Sequence, residues 1–273
     1  MNAKVSTAVL LALLFAAGTA VAGELEFKDP SGDDKGHGKL VYPTDKAYQK
    51  GSFDLVGVTI DASGGDVEVT VEFASKVEDP WDSKSWGGHG FSLQFVQLYI
   101  DQDHKAGSGH GSALPGMNVD FAETARWEKV LLISPQPNSR LKSEIGQKAK
   151  AQGKDIVLPK KVKVRGKKIV ATFKASEVGT WAKGWGVQAL VQSNEGYPTK
   201  EDLLSRKVNE YEGEHRFGGG NDFDCDSHVI DMLAGAGKGE AGEAKAQYTA
   251  LGGFTCDASG KGARAKIDMV YPQ

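Results

Sequence analysis

The stretch DVEVTVEFAS, Asp66–Ser75, sets an apolar residue at every second position: Val67, Val69, Val71 and Phe73 alternate with Asp66, Glu68, Thr70 and Glu72. That period belongs to a strand with one face in a core and the other in water. Such a strand needs a second layer to cover its apolar face. The rest of the chain offers that layer. GSFDLVGVTIDASGG precedes it, and KVLLIS, KVKVRGKKIVATFK and GWGVQALVQS follow. FSLQFVQLYID (Phe91–Asp101) alternates less strictly and reads as a well-buried strand. VRGKKIVA predicts a hairpin around Arg165–Gly166. Helical pattern is confined to 139–152, 176–179, 202–208 and 240–248, and glycines weaken the longer two. Many short strands, glycine-rich turns and no fixed repeat or composition break predict a mainly β fold, a single β-sandwich with a few short peripheral helices.

Residues 1–22 read as a signal peptide: MNAK is basic, VSTAVLLALLFAAGTAV is apolar, and Ala20-Val21-Ala22 has the small-residue pattern of a cleavage site. The expected mature domain is 23–273. No later stretch reaches the ~20 apolar residues of a membrane span. The expectation is an exported protein, whether periplasmic, cell-surface or extracellular. Its formal charge is −3, and −4 once Lys4 leaves with the leader, which argues against a nucleic-acid partner. The lysine-rich segment from Lys142 to Lys174 is the local exception, and reads either as a solvated strand edge or as a surface for an anionic partner. The only cysteines, Cys225 and Cys256, are expected to form one disulfide in an exported chain. The competing role for Cys225, a thiol nucleophile beside His228, lacks an ordering partner in the sequence.

Two acidic loops are candidate metal sites. DPSGDDKGHG carries Asp29, Asp33 and Asp34 around a Pro30/Gly32 turn, and YIDQDHKAGSG carries Asp101 and Asp103 as a strand ends. Calcium takes six to eight oxygen ligands, which glycine-rich acidic loops supply, so Ca2+ is the expected ion, although turn chemistry alone favours the same residues. Loops this polar are expected to keep every acid ionised, which argues against a glycosidic acid/base pair and against an enzyme. His104 and His110 flank the second loop as zinc or copper candidates. Non-covalent haem through Met117 or Met232 with a histidine is a further alternative. The aromatic residues Trp81, Trp86, Trp127, Trp181, Trp185 and Tyr197 are the candidate glycan platform, with Trp86 the best exposed because Asp82, Ser83, Lys84 and Ser85 precede it. Core packing is the competing role for each of them.

The order of these pieces resembles a known family. DPSGDDKGHGKLVYPTDKAYQKGSFDL (29–55), PWDSKSWGGHGFSLQFVQLYIDQDHKAGSGHGSALPGMNVDF (80–121), WEKVLLIS (127–134), NEGYP (194–198), RFGGGNDFDCDSHVIDML (216–233) and KIDMV (266–270) are together similar to the C-terminal binding domain of glucodextranase and related amylolytic enzymes. The resemblance implies an immunoglobulin-like or DOMON-like β-sandwich, surface-layer-homology-like in role. It also implies a non-catalytic module for polysaccharide or the cell envelope, with the acidic loops organised around calcium. The module is expected to stand alone behind its leader. An envelope structural or protein-interaction module is the alternative, with an envelope protein as partner.

Overall fold

The alternation in Asp66–Phe73 becomes the spine of a five-stranded sheet whose outer face is solvated. The computed structural model describes residues 23–182, 184–221, 225–234 and 240–272, so the expected signal peptide lies outside the described residues. In chain order the elements are β1 (Glu24–Lys28), β2 (Leu55–Asp61), β3 (Asp66–Phe73), β4 (Gln94–Asp101), β5 (Val119–Phe121) and β6 (Lys129–Ile133). Helix α1 (Asn138–Lys148), β7 (Ile156–Val157), β8 (Lys161–Arg165), β9 (Lys168–Lys174), α2 (Ala175–Val178) and β10 (Gly186–Ser193) follow. Strand β11 (Asp231–Met232), α3 (Glu240–Leu251) and β12 (Ala265–Ile267) complete the order.

One sheet runs β1-β2-β3-β9-β8 and the other β11-β10-β4-β6-β7, while β12 and β5 form a small parallel pair. Between the two large sheets lies the first core, where Val67, Val69, Val71 and Phe73 meet Val96, Leu98, Ile100, Val187, Ala189 and Val191. The second sheet is buried on its other face too. There Phe95, Tyr99, Val130, Leu132 and Leu190 are covered by Leu141 and Ile145 of α1, Leu251 of α3 and the β5/β12 pair. Every residue of β4 and of β10 is buried. That double burial explains why FSLQFVQLYID does not alternate: a strand with apolar surroundings on both faces has no solvent face to mark.

The hairpin register pairs Arg165 with Lys168, so the turn is Gly166–Lys167, one residue later than expected, with Gly166 at φ +62°. Segment 202–208, expected to be helical, is not. Leu203, Leu204 and Val208 are fully buried, Ser205 bridges to Asn194, and Leu204 takes φ +53°. Anchoring of its apolar side chains in the core overrides local helix propensity. Among the described residues no helix is long and apolar enough to cross a membrane.

Cys225 and Cys256 form the expected disulfide, Cα to Cα 5.7 Å. It closes a loop with a sequence separation of 31 that contains β11 and α3. In the chain-entropy picture that closure is worth about 3–4 kcal/mol. Reduction, or the double Cys→Ser variant, is expected to lower stability by about that amount in denaturant titration under conditions that keep the rest of the protein native. An unchanged midpoint would show that the bridge closes a loop already ordered in the unfolded chain.

Candidate functional site

The first acidic loop joins the two large sheets at one end. Asp29 follows directly on β1 and donates its backbone N–H to Val56 O at 3.2 Å. Gly32, at φ +101°, donates its N–H to the Asp54 carboxylate at 2.8 Å, and Ser31 Oγ donates to the same oxygen. This turn brings Asp33 back toward Asp29. From the other sheet Asp231 of β11 accepts the N–H of Leu55 at 2.7 Å. Oxygen atoms of Asp29, Asp33 and Asp231 lie within 4.8 Å of one another. Glu243 of α3 lies close enough to add its charge repulsion to Asp29 and Asp33, while its Oε1 accepts the N–H of Ala234 at 2.7 Å.

Both oxygens of Asp29, both of Asp33, Glu243 Oε2 and Asp54 Oδ1 are buried with no hydrogen-bond partner. Buried carboxylates without partners or counter-charge are strongly disfavoured as anions. Burial first, then repulsion from Asp231, Glu243 and Asp33, pushes Asp29 up to about 12. Burial, then Glu243, pushes Asp33 up to about 8. Asp231, wholly buried, is raised well above the ordinary range by burial and then by Asp33. The expectation that polar loops keep these acids ionised is therefore corrected: the loop is folded under the sheets and its carboxyls leave water. The cluster is a candidate metal site, since a cation would satisfy the orphaned oxygens and remove the repulsion together.

Asp34, expected to be a ligand, is not part of the three-acid group. It is buried beside Tyr42, whose hydroxyl donates to Asp34 Oδ2. Asp231 and Glu243 escaped the sequence reading because they lie some 200 residues from Asp29 and in no acidic run; only the fold assembles them.

The second acidic loop brings Asp101, Asp103 and Glu128 together, but most of their oxygens are occupied. Asp101 Oδ1 accepts the N–H groups of Asp103 and His104, and its Oδ2 accepts the Tyr271 hydroxyl at 2.6 Å. Asp103 accepts from Lys105 N–H and Ser108 Oγ, and Glu128 Oε2 from Gln102 N–H. Only Glu128 Oε1 is buried without a partner. These acids shape a turn. The flanking histidines do not meet: His104 stacks on Tyr271 at 4.2 Å, and His110 Nε2 lies 2.8 Å from Asp155. Met117 and Met232 are buried in the second core.

The aromatic candidates divide. Trp127, Trp181 and Trp185 are buried: Trp127 lies under the second sheet, its indole N–H donating to Ser112 O, and Trp181 and Trp185 tilt against each other at 4.9 Å. The expectation that they offer stacking faces is corrected, because core burial leaves them no face for a sugar. Trp81, Trp86 and Tyr197 converge instead on one groove of about 540 Å³, shared with Gln136, Pro137, Arg140, Asn194, Glu195, Gly196, Arg206 and His215.

The groove is rigidly built. Trp86 is 37% exposed at the end of a 3₁₀ turn, Ser83–Trp86, and its indole N–H donates to Trp81 O at 3.2 Å. The turn is held by Asp79, which accepts both the N–H and the hydroxyl of Ser83. Trp81 is braced edge-on by Tyr48 and His215, and Tyr48 stacks on the fully buried Phe53, so an aromatic chain runs from the core to the groove. Tyr197 is 90% exposed, with the Arg140 guanidinium 5.9 Å over its ring. Gln136 Nε2 donates to Asn194 Oδ1 on the groove floor. Glu195, the groove's only carboxylate, is engaged by Arg206 at 3.3 Å and Arg216 at 3.0 Å.

Residues 25–268 match the family model of the C-terminal binding module, surface-layer-homology-like, of glucodextranase. No curated protein matches the chain. The match supports an exported location and a non-catalytic role. It covers nearly all of the described fold, and the β-sandwich agrees with it: the chain belongs to the family of glucodextranase C-terminal binding modules.

Proposed function

We propose that the protein is an exported carbohydrate-binding module whose ligand, a polysaccharide of the cell envelope or its surroundings, is bound in the groove of Trp81, Trp86 and Tyr197. The observation that carries this reading is the exposure of Trp86 and Tyr197 on a pre-built frame beside buried polar groups, Gln136 and Asn194. Rings fixed in place before binding lose little rotamer freedom, so more of the contact energy appears as affinity. Sugar C–H faces would lie on the rings while hydroxyls meet the amides and guanidinium groups at the floor and rim.

The ion proposed for the buried acids is Ca2+, held by Asp29, Asp33, Asp231 and Glu243. Among the described residues the donors gathered there are hard oxygens, with no nitrogen or sulfur beside them, the donor set that suits calcium. The ion would supply counter-charge and tie β1, the Gly32 turn, β11 and α3 together.

Three outcomes are expected. Trp86→Ala and Tyr197→Ala should each weaken retention on an insoluble polysaccharide by about tenfold, which corresponds to about 1.4 kcal/mol, with the melting temperature unchanged. Affinity electrophoresis and thermal melts run together check both, and wild-type retention by the two variants would remove the groove from the reading. Addition of Ca2+ should raise the melting temperature, EDTA should reverse the rise, and Asp29→Asn with Asp33→Asn should abolish it.

The third outcome concerns pH. The raised acids hold protons in the cation-free fold that the unfolded chain releases near 3.8. Their contribution is therefore fully present below that value and is lost as pH rises toward about 8 for Asp33 and about 12 for Asp29. In EDTA the melting temperature should fall between pH 5 and pH 8, and saturating Ca2+ should flatten that fall. Coincident curves with and without Ca2+ would contradict a cation at this site.

A further inference from the structure

Between Ser139 and Lys174 the chain carries twelve lysines and arginines and two acids, Glu144 and Asp155, whereas the whole chain holds 33 basic and 36 acidic residues. The two acids are engaged locally: Glu144 pairs with Lys148 at 2.8 Å, and Asp155 with Lys129 at 3.0 Å and His110 at 2.8 Å. The fold gathers much of the remaining charge around α1. On one side of that helix Arg140 lines the aromatic groove. On the other a second groove of about 530 Å³ is lined by Asn138 and Lys142 of α1 and by Lys150, Lys154, Lys160 and Lys174, over a floor that includes Ile145, Ile156 and Leu158.

Lys160 and Lys174 have acid partners, Asp66 and Glu177. Among the described residues Lys142, Lys150, Lys154 and Arg140 have none. Arg140 donates only to Gln136 Oε1 and to the Gly196 carbonyl. An arginine anchored by neutral acceptors beside an exposed ring keeps its full charge for a ligand. The planar guanidinium matches a carboxylate in two-point geometry.

We propose that the glycan of this module is acidic: a polysaccharide with carboxylates on its sugars, one of them bound by Arg140 while its ring lies on Trp86 or Tyr197, the chain then crossing α1 into the lysine groove. The proposal rests on the glycan-binding reading of the aromatic groove and adds the charge of the ligand. The lysine groove has no aromatic ring on which a nucleic-acid base would stack. Nor does any exposed large hydrophobic side chain lie along 139–174 to enter a bilayer. Lysines without partners act on a polyanion through their summed field, which salt weakens over a Debye length of about 8 Å at physiological ionic strength.

The test uses the mature protein and a matched pair of probes, polygalacturonate and its fully methyl-esterified form, with amylose as a neutral polymer of another backbone. Retention of polygalacturonate at least about tenfold stronger than of the ester, falling as salt rises, is the expected result. Arg140→Gln should weaken polygalacturonate binding about tenfold, several-fold more than it weakens binding of the ester. A Lys142→Gln/Lys150→Gln/Lys154→Gln variant should flatten the salt dependence. Equal retention of the acid and ester forms, or preference for amylose, would overturn the charge proposal and leave the glycan reading standing. Polygalacturonate binding that persists unchanged in the Trp86→Ala/Tyr197→Ala double variant would overturn the shared path through the two grooves. No retention of any of the three polymers by folded protein would overturn the acidic ligand and count against the glycan reading as well.

Discussion

The second sheet is buried on both faces, and the rest of the molecule is arranged to allow it. β4 and β10 have no solvent face, so one side must be covered by the alternating strands of the first sheet and the other by α1, α3 and the small β5/β12 pair. Apolar burial at ~25 cal/mol per Å² drives both coverings, but burial leaves polar side chains with few partners. Each of the two strands carries two glutamines, and three of the four amides reach out to loop carbonyls. Gln94 donates to Ser52 O, Gln188 to Leu233 O and Asp268 O, and Gln192 to His228 O. A buried amide is costly unless bonded, so these bonds fix the loops against the sheet. Ser52 lies two residues before Asp54, and His228 three before Asp231. The interior of the sheet thereby sets where the acids of the cluster stand.

The two kinds of site use opposite environments. The acidic cluster lies at the seam of the sheets, where low dielectric disfavours uncompensated carboxylates and leaves either protons or a counter-charge to relieve them. The disulfide closes the loop that supplies Asp231 and Glu243, so the covalent tie lies at the same end of the sandwich as the acidic cluster. The aromatic groove is open, and its rings stand on short, well-bonded turns. A surface held in place before any ligand arrives loses little freedom on binding, which suits affinity without turnover.

Much of the fold was legible in the sequence because its signals are local. The period of two in Val67–Phe73, the hairpin at Gly166 and the weakly alternating Phe91–Asp101 each state the environment of their own strand. Segment 202–208 misled for the same reason: DLLSRKV has helical composition, and the packing of Leu203, Leu204 and Val208 in the core keeps it out of a helix. The short strands β5, β7, β11 and β12 carry two or three residues each, too few for a period to register.

The sequence by itself determined a two-sheet β fold, the cysteine pair, the acidic turn at Asp29–Asp34, the basic run from Lys142 to Lys174 and membership in a family of binding modules. These follow from composition and pattern over neighbouring residues, which a linear reading can sum. Tertiary structure decided which tryptophans face solvent, that Asp29 and Asp33 join Asp231 with Glu243 nearby while Asp34 turns to Tyr42, and that Arg140 lies over Tyr197 in the groove it shares with Trp86. Those outcomes depend on burial and on distances between residues far apart in the chain. Exposure of an indole and repulsion among carboxylates exist only once the sheets have closed on each other, and no local pattern encodes them.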